Sequence, residues 1–223
     1  MKKPVLPTQG CRHACADGVC MFSCKKIPPG DYKLTVAPEV MAFAKNALTK
    51  KREYGGKLSV DVASGMLRLG GGSWGSLDSS SIPHAIYEFH SHPSGCGPES
   101  EDCAIDAPSD TDIELFCRDG IAGNHTHMVF SKTGCFVCSL TPELRERLIG
   151  MKKGRAKAIR DIGKGFDKLQ DRFEEGLQDN SMTLETFRPT WLQYAKRQGF
   201  NIRFFPNGTV PWDVLHVRDV PKA

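Results

Sequence analysis

The 223-residue sequence contains no apolar run near the roughly 18 residues needed to span a bilayer. Its basic tip, Met1-Lys2-Lys3-Pro4-Val5-Leu6-Pro7, has no apolar stretch behind it. Neither a membrane span nor a secretory signal is expected. No repeat of 20–50 residues is visible, which removes the solenoid architectures. Net charge is small, +4, and 39% hydrophobic with 25% charged residues argues against wholesale disorder. The length suits one sizeable domain with an appendage rather than two large ones. Nine cysteines, an odd number without a signal peptide, point to a reducing, cytoplasmic setting with free or metal-bound thiols.

The small net charge hides a division. Residues 53–140 carry four Lys/Arg against twelve Asp/Glu, a balance of −8, between basic flanks of +7 and +5. Such an acidic middle fits internal electrostatic docking or an acidic functional site. Three regions follow: a Cys-rich N-terminal segment (1–30), a main domain (31–140) and a helical C-terminal extension with a short strand (141–223). The stretch Lys25–Asp31, with two prolines and a glycine, reads as a linker. Val40, Met41, Ala44 and Leu48 predict a helix within 37–51, after Pro38 in its first turn. Alternation predicts a strand at 58–62 and its hairpin partner at 66–69. The glycine tract 70–76 reads as a flexible loop. Strands at 85–90, 125–131 and 134–140 frame a helix that starts after Ser109 and runs to about Arg118. From Thr141 an apolar stripe (Leu144, Leu148, Ile159, Ile162, Phe166, Phe173, Leu177) predicts helix, with breaks allowed at Gly150, Gly154, Gly163 and Gly165. A helix at 184–197 and a strand at 201–205 complete the chain.

The strongest chemical signal is Glu88-Phe89-His90-Ser91-His92-Pro93, followed by Ser109-Asp110-Thr111-Asp112. Residues i and i+2 of a strand share a face, so His90 and His92 can converge at its end. Asp112, at the start of the next helix, supplies a third, anionic donor. Two imidazoles and a carboxylate suit Zn²⁺ with an open fourth position, the arrangement of a catalytic site. Glu53, where the first helix gives way to a strand, is the candidate proton acceptor for a water bound there. The glycines after it, Gly55 and Gly56, allow a sharp turn or a close approach. Ser109 either caps its helix or donates to the oxyanion of a tetrahedral intermediate. Asp106 competes for the carboxylate role but lacks the Ser-x-x spacing.

Glu53, His90-x-His92-Pro93 and Ser109-x-x-Asp112 together resemble the signature of the JAMM (MPN-plus) zinc metalloproteases. The resemblance covers about half the chain. It implies an α/β fold, an α+β sandwich of mixed sheet and helices related to the cytidine-deaminase type, ending here in the helical extension. It implies zinc held by His90, His92 and Asp112, with Glu53 as general base and Ser109 as oxyanion stabiliser. It also implies cleavage of peptide or isopeptide bonds at the C-terminus of ubiquitin or ubiquitin-like proteins, with such conjugates as partners. Sixteen residues, Pro93 to Pro108, separate His92 from Ser109, about twice the family's usual spacing, and form either a substrate-binding insertion or a plain surface loop. His-Ser-His-Pro-Ser-Gly is also similar to the RadC branch. A non-catalytic MPN-type scaffold and a RadC-like DNA-associated protein are thus the alternatives, and the complete ligand set favours the enzyme.

Weaker signals remain. Cys11, Cys15, Cys20 and Cys24 are a candidate second, structural zinc site, although their spacing is looser than a Cys-x2-Cys knuckle. Cys135-x2-Cys138 has redox spacing, yet strand alternation puts its members on opposite faces, which favours a core role. His125-x-His127 has no acidic residue at a useful distance after it and reads as strand histidines, exposed or hydrogen-bonded. The 144–177 stripe packs on the domain or offers a surface to a protein partner. Its basic face (Lys152, Lys153, Arg155, Lys157, Arg160) reads as solvated, so nucleic-acid binding is not expected. Trp191, Phe200, Phe204, Phe205 and Trp212 are assigned to a small C-terminal core.

Overall fold

The computed structural model describes residues 30–61, 63–76, 86–93, 106–123 and 126–216, and the strands at 13–16 and 19–22; for those two strands, 71–76 and 184 it describes the backbone alone. The N-terminal strands, β1 (His13–Ala16) and β2 (Val19–Phe22), form an antiparallel hairpin that sets Cys15 opposite Cys20. Cys11 and Cys24 lie outside the described residues.

The remaining elements are β3 (Asp31–Val36), α1 (Pro38–Ala47), β4 (Tyr54–Asp61), β5 (Met66–Ser76), β6 (Tyr87–His92), α2 (Asp110–Ala122), β7 (Thr126–Ser131), β8 (Gly134–Leu140), α3 (Pro142–Gly150), α4 (Arg155–Gln178), α5 (Leu184–Gln198), β9 (Phe200–Pro206) and β10 (Trp212–His216). Eight strands join in one mixed sheet of order β10-β3-β5-β4-β6-β7-β8-β9, with parallel pairs at β3/β5 and β6/β7. The fold is therefore mixed α/β, as expected.

Alternation along the strands separates two cores. Tyr87 and Phe89 of β6, Met128 and Phe130 of β7, and Cys135 and Val137 of β8 pack with α1 on one side. Val129, Phe136 and Cys138 face the other side, with α2 to α5. In β6 the residues between the apolar ones are Glu88, His90 and His92, so the sheet's period of two aims these polar groups at the α2 side. The redox-spaced cysteines lie in different cores, as alternation requires. Cys117, Cys135 and Cys138 are free and buried. Burial, with Glu114 nearby, pushes the Cys117 thiol up to about 12, and burial holds Cys135 and Cys138 well above the ordinary thiol range. Native protein treated with iodoacetamide at pH 8 should leave all three unlabelled, and denatured protein should label them, as read by peptide mass spectrometry. Rapid native labelling of Cys138 would contradict this packing.

The C-terminal segment is more than a helical extension. Its stripe divides at Gly154, whose φ of 78° ends the α3 connection in the left-handed region that glycine adopts without penalty. Gly163 stays inside α4 for another reason: a methyl group there would lie 2.9 Å from Glu114 Cγ and 3.3 Å from the Asp110 carbonyl. The glycine lets α4 approach α2 closely. Ile159, Ile162, Phe166 and Phe173 of α4 are buried in the protein's own core, which takes up the stripe within the chain.

β9 and β10 follow each other in sequence but occupy opposite edges of the sheet. A connection as short as 207–211 is possible only if the sheet curls until those edges meet. They do. Arg203 of β9 donates to Asp213 of β10 at 2.6 Å, and the Phe205 and Trp212 rings meet edge to face at 5.8 Å. Thr126 of β7 also donates to Asp213, which is 3% exposed. Trp191, Phe200 and Phe204 join the α2-side core while Phe205 packs on the α1 side, so these aromatics belong to the main cores rather than to a separate one. The glycine tract, expected as a loop, is the second half of β5 as far as Ser76; Trp74, Gly75 and Ser76 pair with Gly56, Gly55 and Tyr54 of β4, and residues 70–73 fall at a register shift of that ladder.

Candidate metal centre

The site forms where the end of β6 meets the start of α2. All six residues of β6 are buried, held by β4 on one side and β7 on the other. His90 and His92 project from the same face, with Nε2 atoms 3.1 Å apart. Helix α2 starts with a capping box. The Ser109 hydroxyl accepts from the Asp112 backbone N–H at 3.1 Å, and the Asp112 carboxylate accepts from the Ser109 N–H at 2.8 Å. The Ser109 hydroxyl also donates to Asp112 Oδ2 at 2.8 Å. These bonds and the helix N-terminus orient an anionic carboxylate toward β6. Oδ1 lies 3.2 Å from His90 Nε2, and Oδ2 lies 3.2 Å from His92 Nε2.

Two imidazole nitrogens and a carboxylate lie 3.1–3.2 Å apart in this buried site, close enough to share a proton or a metal ion. Without metal, burial alone would push the His92 imidazole down. The hydrogen bond and charge of Asp112, with Glu53 and Asp106 behind it, outweigh burial and raise it. Burial would raise Asp112, yet His90 and His92 hold its carboxyl well below the usual range. A tetrahedral ion with bonds of ~2.0–2.1 Å sets its ligands ~3.3 Å apart, close to the separations found here. The donor set therefore fits a divalent metal ion.

Glu53 immediately precedes β4. The antiparallel register Gly55↔His90, extended two places, brings Glu53 opposite His92. Ser91 secures this edge by accepting from the Tyr54 backbone N–H at 3.0 Å. Glu53 Oε1 lies 3.7 Å from His92 Nε2, on a side chain that is 48% exposed. The carboxylate thus stands beside the donor triangle and open to solvent. Gly55 and Gly56 make no turn; they lie within β4, both buried, paired with β5 and β6.

All five residues singled out from the sequence thus meet in one place. Asp106 does not join them. It is 1% exposed and ion-paired with Arg188 of α5 at 3.1 Å, with hydroxyl donors at Thr133 and Ser131. Arg188 lies over the Phe204 ring at 4.0 Å, and Gln170 of α4 donates to the Pro108 carbonyl at 3.4 Å. Helices α4 and α5 therefore hold the segment that leads into the Ser109 cap. Arg188 carries no motif, and only its place opposite a buried acid marks it. Residues 94–105 of the long loop, with Cys96, Glu99, Glu101, Asp102 and Cys103, lie outside the described residues.

His127 needs a correction. It is 4% exposed, and its acidic neighbours come from other elements: Glu88 Oε2 lies 3.6 Å from Nδ1 and Asp119 Oδ2 lies 3.7 Å from Nε2. The sequence signal for them was periodicity, since Glu88 shares the strand face of His90 and Asp119 stands two helical turns after Asp112. His125 lies outside the described residues. Among the described residues no helix is long and apolar enough to cross a membrane. Compared with family models, with curated proteins and with solved structures, the chain matches none, so the functional reading rests on its own residues.

Proposed function

We propose that the chain is a zinc-dependent metallopeptidase of the JAMM type, hydrolysing peptide or isopeptide bonds at the C-terminus of ubiquitin or a ubiquitin-like protein. The observation that carries this reading is the convergence of His90, His92 and Asp112 with Glu53 beside them. His90, His92 and Asp112 hold the ion. Zinc bound there supplies the polarisation of a scissile carbonyl and the acidification of a water.

The protein's own groups do the rest. Glu53 is close enough to the triangle to take a proton on its carboxylate and open enough to pass it to a leaving amine. Ser109 is first a positioning residue, since its N–H and O–H both fix Asp112. Its hydroxyl can turn to a developing oxyanion only by leaving Asp112 Oδ2. The acidic balance of residues 53–140 suits a substrate tail that brings basic side chains.

The test is to incubate the full chain with a panel of ubiquitin and ubiquitin-like conjugates and fusions. We expect cleavage of at least one conjugate, loss of cleavage on chelation, and recovery on adding Zn²⁺. A zinc-loaded chain that cleaves nothing in the panel would support the scaffold alternative.

A further inference from the structure

The face of β6 that carries His90 and His92 carries a third polar residue, Glu88, which is 2% exposed. The parallel register with β7 sets His127 beside it, and Asp119 descends from α2, so three separate elements bring one donor each. One ligand atom from each of the three lies within 4.8 Å of the others, and all three residues are buried.

The local chemistry is that of a metal site. Glu88 and Asp119 each bring carboxylate oxygens to a buried position, and His127 brings an imidazole nitrogen. One nitrogen and two carboxylates form a donor set that a divalent cation takes, with the imidazole neutral. The His127 separations, 3.6 Å to Glu88 and 3.7 Å to Asp119, exceed the ~2.7–3.2 Å of a hydrogen bond. They are close to the ~3.3–3.6 Å between two donors sharing one tetrahedral ion at ~2.0–2.2 Å. The Phe116 ring stacks on the His127 ring at 4.3 Å and fixes the imidazole plane. We propose that Glu88, Asp119 and His127 form a second metal site that takes a divalent transition-metal cation, the class suited to one imidazole and two carboxylates.

This site is separate from the first. Glu88 precedes His90 and His92 by ~7 and ~13 Å along a strand. Asp119 follows Asp112 by ~10 Å along α2. Paired metal ions that act together in catalysis stand ~3.5–4 Å apart, so the second ion is structural. It ties together β6, β7 and α2, the elements that place His90, His92 and Asp112.

The test strips the full chain of metal, reloads it with Zn²⁺ alone, and counts tightly held zinc per chain by mass spectrometry. Asp119→Asn and His127→Gln should each hold one zinc fewer than the wild type. His90→Ala should also hold one fewer, and the double variant with Asp119→Asn two fewer. Wild-type zinc content in folded Asp119→Asn and His127→Gln would overturn the proposal. Loss of zinc in these variants with none lost in His90→Ala would support the second site while counting against the catalytic one. Should the variants not fold, wild-type crystals soaked in Zn²⁺ decide. An anomalous peak among Glu88, Asp119 and His127 supports the site, and no peak there overturns it.

Discussion

Glu53→Gln should keep the zinc content of the wild type and lower conjugate cleavage roughly 10²–10⁴-fold, the range for removing a general base. Glutamine preserves the size and polarity of a side chain that is about half exposed, so the fold has no reason to change. The carboxylate stands 3.7 Å from His92 Nε2, outside the triangle of donors 3.1–3.2 Å apart, so the ion keeps its ligands. What is lost is a group able to accept a proton. His90→Ala is the contrasting variant, expected to lose this zinc and cleavage together. Metal content and initial cleavage rate, measured on the same preparations, separate the two. Full activity in Glu53→Gln would refute its assignment as base.

The second large effect is expected far from the ligands. Arg188→Ala leaves Asp106 1% exposed and without its guanidinium, and breaking a buried pair from one side typically costs ~3–5 kcal/mol. The Arg188 side chain is 20% exposed, so the lower end, about 3 kcal/mol, is the expected loss in urea unfolding. The loss includes the guanidinium's contact with the Phe204 ring. Adding Asp106→Asn should recover part of the stability, because the stranded charge is then gone. An additive double variant would show that the pair is not coupled. Asp106 stands three residues before the Ser109 cap, so the single variant should also weaken zinc retention.

The candidate site is legible in the sequence because its donors come from local patterns. His90 and His92 follow the strand period, and Ser109-x-x-Asp112 is a helix cap whose chemistry is set within four residues. Much of the α2 boundary is legible for the same reason, although the helix runs past the expected Arg118 to Ala122, where Gly123 at φ 111° ends it. What depends on distant partners is not legible. β10 has five residues, and only its ladder with β3 makes it a strand. β3 itself follows a Pro-Pro-Gly segment that reads as a linker. The half of β5 after Leu69 has no side-chain alternation to read through its glycines, and Trp74, Gly75 and Ser76 become strand by pairing with β4. Likewise, no window around His127 contains Glu88, which neighbours it only through the β6/β7 register. The loop-forming tendency of glycine and the linker-forming tendency of proline are both overridden here by pairing partners elsewhere in the chain.

The meeting of the two sheet edges at β9 and β10 has a consequence for synthesis. His216 hydrogen-bonds Asp31 across 185 residues at 2.7 Å, so the outer strands cannot close the sheet until nearly the whole described chain has been made. Every proposed catalytic residue leaves the ribosome at least 88 positions earlier, all lying at or before Asp112 while β9 starts at Phe200. A growing chain therefore exposes the free sides of β3 and β8, and contacts of such long range form slowly. The proposed hydrolytic activity should arrive late and all at once, after β9 and β10 have been made, and a nascent chain that carries the full motif without them should be inert.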